Sequence, residues 1–164
     1  MTETTTAPPV TSGTSSVWLS DDEQRIWRQW RSATTRIDSE LARRMQKNGS
    51  ISMSDYAVLV SLSEAEDQRM RVVALADQLQ WDRSRLSHQI SRMARRGLIR
   101  REGCPRDGRG SYVVIEDLGL DLLAAAAPGH VADVRELLFA HLSEEELAQL
   151  DAITAKLQAQ FTED

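Results

Sequence analysis

Apolar residues recur three and four positions apart along most of this chain. Ile26/Trp27, Trp30, Ala33/Thr34, Ile37, Leu41 and Met45 predict one long amphipathic helix over about 20–48. Ser20, followed by Asp21, Asp22 and Glu23, supplies a cap and the acids that suit a helix start, and Asn48-Gly49 is a stop signal. A second helix is expected from Ser54-Asp55, carrying Tyr56, Val58, Leu59 and Leu62. A third, short one covers Val72–Leu79. Trp81-Asp82 breaks the pattern, and Asp82 can cap a fourth helix that ends at Gly97. The spacing then switches to two short β runs, 98–102 and 111–116, the second rich in aromatic and β-branched residues. Their link, 103–110, has the glycine, proline and aspartate content of a long hairpin loop. Helical spacing returns over 118–127, with a kink or break expected at Pro128-Gly129. It resumes through Val131, Val134, Leu137/Leu138 and Leu142. Ser143 and Glu146 form a capping-box pair before a last helix with Leu147, Leu150, Ile153/Thr154, Leu157 and Phe161 on one face.

Helix, helix, helix-turn-helix, hairpin, helix, helix is a winged-helix order. The expected fold class is therefore mainly α with a small β-hairpin wing: a winged helix-turn-helix with a helical dimerisation region. Residues 1–16, rich in Thr, Ser, Pro and Gly, read as a disordered tail. A single domain is expected over 17–161, with a DNA-binding lobe at about 52–116 and dimerisation helices at about 20–48 and 117–161. The first helix and the two terminal ones carry longer apolar faces than a small winged-helix core can cover, which points to a homodimer.

Charge sharpens this picture. Between Asp82 and Arg109 nine Arg face three acids, leaving +6; the whole chain is −5, so the remainder carries −11. A basic island in an acidic chain marks a local polyanion contact. On the fourth helix, Leu86, Ile90 and Met93 share one face and Ser84, Ser87/His88, Ser91/Arg92 and Arg95 point away from it. Arg83, Ser84, Arg85, Ser87 and His88 occupy the two turns that would enter a major groove, where Arg reads guanine and Ser serves several bases. A merely solvated face normally mixes signs; this one has almost no acid. Arg92 and Arg95 join the same surface, and Arg95, Arg96, Arg100 and Arg101 would supply phosphate contacts or complement the helix C-terminus. In the hairpin loop Arg106, Asp107 and Arg109 stand among glycines. An Arg at such a tip can enter a minor groove, and Asp107 can steady it or the turn.

The block from Trp81 to Ile115, with V-V-A-L-A-D-Q-L-Q before it and E-D-L-G-L-D-L-L after it, resembles the MarR (multiple-antibiotic-resistance regulator) family. The likeness covers about 20–161, and its specific part is the recognition helix followed by Asp107-Gly108-Arg109. It implies a dimeric regulator on a pseudo-palindromic operator in double-stranded DNA, usually a repressor released by a small phenolic or lipophilic ligand or by thiol oxidation. Glu116 departs from the family's usual Thr at the opening of the post-wing helix, and Asp117 is expected to cap in its place.

Other features carry less. Trp27, Trp30 and Tyr56 could line a pocket for a small aromatic or lipophilic effector, although core packing is the commoner use of Trp at helical spacing. Cys104 at the wing base, between Arg101 and Arg106, is a candidate redox handle without a resolving partner. As the sole Cys it suits a reducing, cytoplasmic setting. His130 and His141 lack a metal-ligand pattern, and no cofactor motif, catalytic set, leader or membrane span is visible, so an enzyme is not expected. The alternatives to a ligand-responsive repressor are a thiol-redox regulator acting through Cys104 and a winged-helix module that binds protein.

Overall fold

A computed structural model describes residues 18–103 and 110–161. Cys104, Arg106, Asp107 and Arg109 lie outside the described residues, as does the expected tail. The chain falls into two compact units, Met1–Arg36 and Ile37–Asp164.

Helix α1 is Asp21–Asn48. In the first unit, Ser20 closes it as the sequence predicts: its hydroxyl accepts from the Glu23 N–H at 3.3 Å, and Glu23 accepts from the Ser20 N–H at 2.8 Å. Trp27 and Trp30 on its first half are 54% and 44% exposed.

The second unit contains the rest of α1, then α2 (Met53–Ser63), β1 (Arg69–Arg71), α3 (Val72–Leu79), α4 (Arg83–Arg95), β2 (Ile99–Gly103), β3 (Ser111–Ile115), α5 (Asp117–Leu137) and α6 (Glu144–Ala159). Its core joins Val58, Leu59 and Leu62 of α2, Leu75 of α3, Leu86, Ile90 and Met93 of α4, and Ile99, Val113 and Ile115 of the sheet. Helices α3 and α4 form the expected helix-turn-helix. Gln80 ends α3 in the left-handed region at φ 52°, and Asp82 caps α4 by accepting the Arg85 N–H at 2.8 Å. Gly97 follows α4 at φ +73°, a conformation that costs glycine least, and turns the chain into β2.

Four expectations need correction. Helix α2 starts at Met53, one residue before the expected Ser54, because Ser52 and Asp55 form its capping box. A third strand, β1, joins the hairpin, giving an antiparallel sheet in the order β1-β3-β2 with Arg69 opposite Val114 and Ile99 opposite Ile115. Helix α5 runs unbroken through Pro128. Proline removes a single donor, while the alanines before it are strong helix formers and Leu120, Leu122, Leu123 and Ala126 pack on the core. It stops at Leu137, and a short 3-10 turn at Phe139–His141 keeps the apolar spacing going to Leu142. Finally, Glu116, not Asp117, takes the cap position of α5, without a side-chain cap bond. Asp117 acts only as an acid in the first turn. The Ser143–Glu146 capping box of α6 forms as predicted.

The chain comes close to itself at one joint. The Leu98 carbonyl accepts the Glu116 N–H at 3.0 Å, and a Cβ on Gly119 would lie 2.3 Å from that same oxygen. Only glycine lets the first turn of α5 sit this close to the start of β2. No helix among the described residues is long and apolar enough to cross a membrane.

Candidate nucleic-acid interface

Helix α4 is divided by its own sequence. Leu86, Ile90 and Met93 are fully buried, and Gln89 is 5% exposed. Arg83, Ser84, Arg85, Ser87, His88, Arg92 and Arg95 are all exposed on the other side, as their spacing predicts. The structure therefore brings the recognition-helix candidates onto one outward surface. The Arg85 guanidinium lies over the Trp81 ring, 4.1 Å from its centroid, which holds a long flexible side chain at the turn that leads into the helix. Trp81 is itself half-buried against the core. The Ser91 hydroxyl donates to the Ser87 carbonyl at 2.8 Å, and Arg101 of β2 reaches the Ser87 hydroxyl at 3.5 Å, so the first wing strand adds its cation to the helix surface.

The arginines of this segment are not equivalent. Arg96 donates to Asp55 Oδ2 at 2.8 Å and also to the Ser50 carbonyl, which ties the end of α4 to the start of α2. Arg100 bridges Glu102 at 2.6 Å and Glu116 at 3.0 Å, and these bonds push its pKa further up. Both were candidate phosphate contacts; both are occupied by carboxylates within the fold. Arg83, Arg85, Arg92, Arg95 and Arg101 have no carboxylate partner among the described residues. None of these five is neutralised by a carboxylate of the fold among the described residues.

Two features escape the sequence pattern. Asp55 is 1% exposed, and its Oδ1 accepts from Gln89 Nε2 at 2.6 Å. Burial pushes the Asp55 carboxyl up, but the Ser52 N–H, Arg96 and the Ser52 hydroxyl outweigh it and leave the group below its ordinary range. The Ser52-x-x-Asp55 spacing is a capping-box signal that could have flagged it. The other is β1, where Arg69 and Arg71 stand at 5.3 and 5.6 Å from the Tyr112 ring centroid. The alternation Arg69-Met70-Arg71, with only Met70 turned inward, was its trace in the sequence.

Away from this surface, Tyr56 is half-buried, and its ring meets that of His130 at 4.6 Å and a 53° tilt. Among the described residues no group of three His, Cys, Asp or Glu could hold a metal ion.

Comparison with known proteins places this geometry. Residues 51–111 match the family described as MarR family. The chain is 37% identical to AbsC, a MarR family transcriptional regulator from Streptomyces coelicolor, covering 90% of this chain and 99% of that one with a TM-score of 0.82. It is 35% identical to Sco3205, a MarR family transcriptional regulator from the same organism solved in complex with DNA, over 90% of this chain and 91% of that one, with a TM-score of 0.83. The HTH-type transcriptional regulator MhqR of Bacillus subtilis is 25% identical over 68% of this chain and 74% of its own length.

Proposed function

The chain belongs to the MarR family and is a DNA-binding transcriptional regulator, and from that premise we propose that two copies of it hold a pseudo-palindromic operator as a repressor. The observation that carries this reading is the outward face of α4, where Arg83, Arg85, Arg92 and Arg95 are exposed and no carboxylate among the described residues answers them. Arg83, Ser84, Arg85, Ser87 and His88 read bases in the major groove; Arg92 and Arg95 hold phosphate. Arg106, Asp107 and Arg109 are assigned, on the sequence alone, to the adjoining minor groove. The reading gives the protein no enzymatic step.

A second copy is the natural cover for the terminal helices. Val131 on α5 and Ile153 and Leu157 on α6 are 52%, 54% and 48% exposed, and Phe139 between these helices is 44% exposed. Apolar side chains of this size at helical spacing stabilise a helix only when something packs on them. Leu157→Asp should leave a monomer or an aggregate that binds no operator, whereas a folded monomer of the unsubstituted chain in light scattering would defeat the dimer. Selection from randomised duplexes tests the rest. Two half-sites whose centres lie about one helical turn, ~34–36 Å, apart are expected.

Control is assigned to a small aromatic or lipophilic effector that lowers DNA affinity, with Tyr56 of the lobe and its ring partner His130 of α5 as contacts. The cavity beside His130, lined by Arg44, Met45, Ala126 and Gly129, measures about 70 Å³ in the single chain. Ligand sites usually span ~300–1,000 Å³, so an effector must widen it. An effector that favours one arrangement of the two lobes opposes DNA by the factor by which DNA opposes it.

A further inference from the structure

We propose that Gln89 is a positioning residue for DNA binding: fixed by the buried carboxylate of Asp55, its side-chain carbonyl aims Arg92 at a backbone phosphate. The proposal rests on the DNA-binding reading above. Asp55 sits in the first turn of α2 and Gln89 in the middle of α4, and they are 1% and 5% exposed. Gln89 Nε2 donates to Asp55 Oδ1 at 2.6 Å. An ionised carboxylate only accepts, so the amide must turn its NH2 inward and its carbonyl outward. Arg92 Nη2 donates to that carbonyl. Asp55 cannot swing away, because Oδ2 holds the Ser52 N–H at 2.9 Å and Arg96 Nη1 at 2.8 Å. The polarity of the relay is thus set from within the core, and it ends on a guanidinium at the surface.

The kind of anchor matters. Arg96 and Arg100 are held by carboxylates, which neutralise them. Arg92 is held by a neutral amide, which orients the guanidinium and leaves its charge intact. Its remaining N–H donors stay available, and less side-chain freedom is lost when a phosphate arrives. A residue needed only for packing at this buried position would not have to be an amide.

The test uses the full chain and a duplex that the unsubstituted chain selects from a randomised pool. Affinity is measured over a series of salt concentrations for Arg92→Ala, Gln89→Met and the double variant. Each single change is expected to weaken binding about tenfold, the size of one charge-assisted contact, and to lower the slope of log K against log salt by about one. The double variant should bind no more weakly than Arg92→Ala. Losses that multiply in the double variant overturn the proposal. So does Gln89→Met with affinity and slope unchanged, or Arg92→Ala with no effect. If Gln89→Met loses helix content, Asp55→Asn repeats the cycle from the other end of the relay, and multiplied losses with Arg92→Ala again overturn it. Failure of the unsubstituted chain to select any duplex would instead remove the DNA reading itself.

Discussion

Arg95 and Arg96 are neighbours at the end of one helix, with the same chemistry and nearly the same backbone, and they do opposite things. Arg95 leans back along its own helix, Nε reaching the Ser91 carbonyl at 3.4 Å, and meets no carboxylate among the described residues. Arg96 turns inward to a carboxylate that is 41 residues away in sequence and 1% exposed. The same division runs through the whole basic segment: Arg83, Arg85, Arg92 and Arg101 belong with Arg95, and Arg100 belongs with Arg96. Net charge is therefore a poor guide to how many cations a DNA surface offers. What decides is whether the fold brings an acid within reach, and whether losing that acid would cost the fold or the complex.

The largest effect should come from the acid at the centre of the inward group. Asp55→Ala removes a helix cap and leaves the buried Gln89 amide without its acceptor, which should cost about 2–4 kcal/mol of stability in urea unfolding. A loss under ~0.5 kcal/mol would mean that water replaces the carboxylate. Arg85→Ala should act oppositely, weakening operator binding by about 1–3 kcal/mol and relaxing preference at one base, with the unfolding midpoint unchanged. Arg109→Ala should lose a similar amount without a change in helix content, and an unchanged affinity at fixed salt would remove the wing tip from the interface. The adjacent pair gives the sharpest contrast. Arg96→Ala should lower stability by about 1 kcal/mol and leave the salt slope of DNA binding alone; Arg95→Ala should lower the slope by about one and leave stability alone. Equal behaviour of the two would break the comparison.

The smallest effect is in acid. The folded pKa of Asp55 lies below its ordinary 3.8. Its contribution is therefore fully present above pH 3.8 and fades as pH falls below that value toward the lowered folded pKa. Asp55→Asn should flatten the stability profile in that window and nowhere above it. An unaltered profile would show that other carboxylates govern acid unfolding.

Much of this was legible in the chain because it depends on spacing. The buried face of α4, the cap at Asp82 and the glycine after the helix all follow from residues within a few positions of one another. So did α3 and the box at Ser143. The misses are of another kind. Pro128 carries a strong local signal, but packing of the preceding turns on the core overrides it. Strand β1 is three residues long and exists because β3 offers it an edge. The fate of Arg96 was invisible because Asp55 reaches it through the tertiary fold; Arg100 has a local partner in Glu102, two residues on, and only its second, Glu116, comes from the far side of the hairpin. Trp27 and Trp30, for which core packing was the commoner expectation, are 54% and 44% exposed on α1, and Tyr56 sits on His130.

The approach of Gly119 to the Leu98 carbonyl makes the joint between the wing and α5 one without backlash. Backbone meets backbone there, held by the Glu116 N–H, with no side chain between them to compress or to change rotamer. A soft joint would absorb a small rotation of α5 in side-chain repacking. Here a rotation of α5 meets the backbone at the start of β2 directly, with no side-chain layer to take it up. In mechanical language the glycine is a tight bearing between α5 and the strand it abuts.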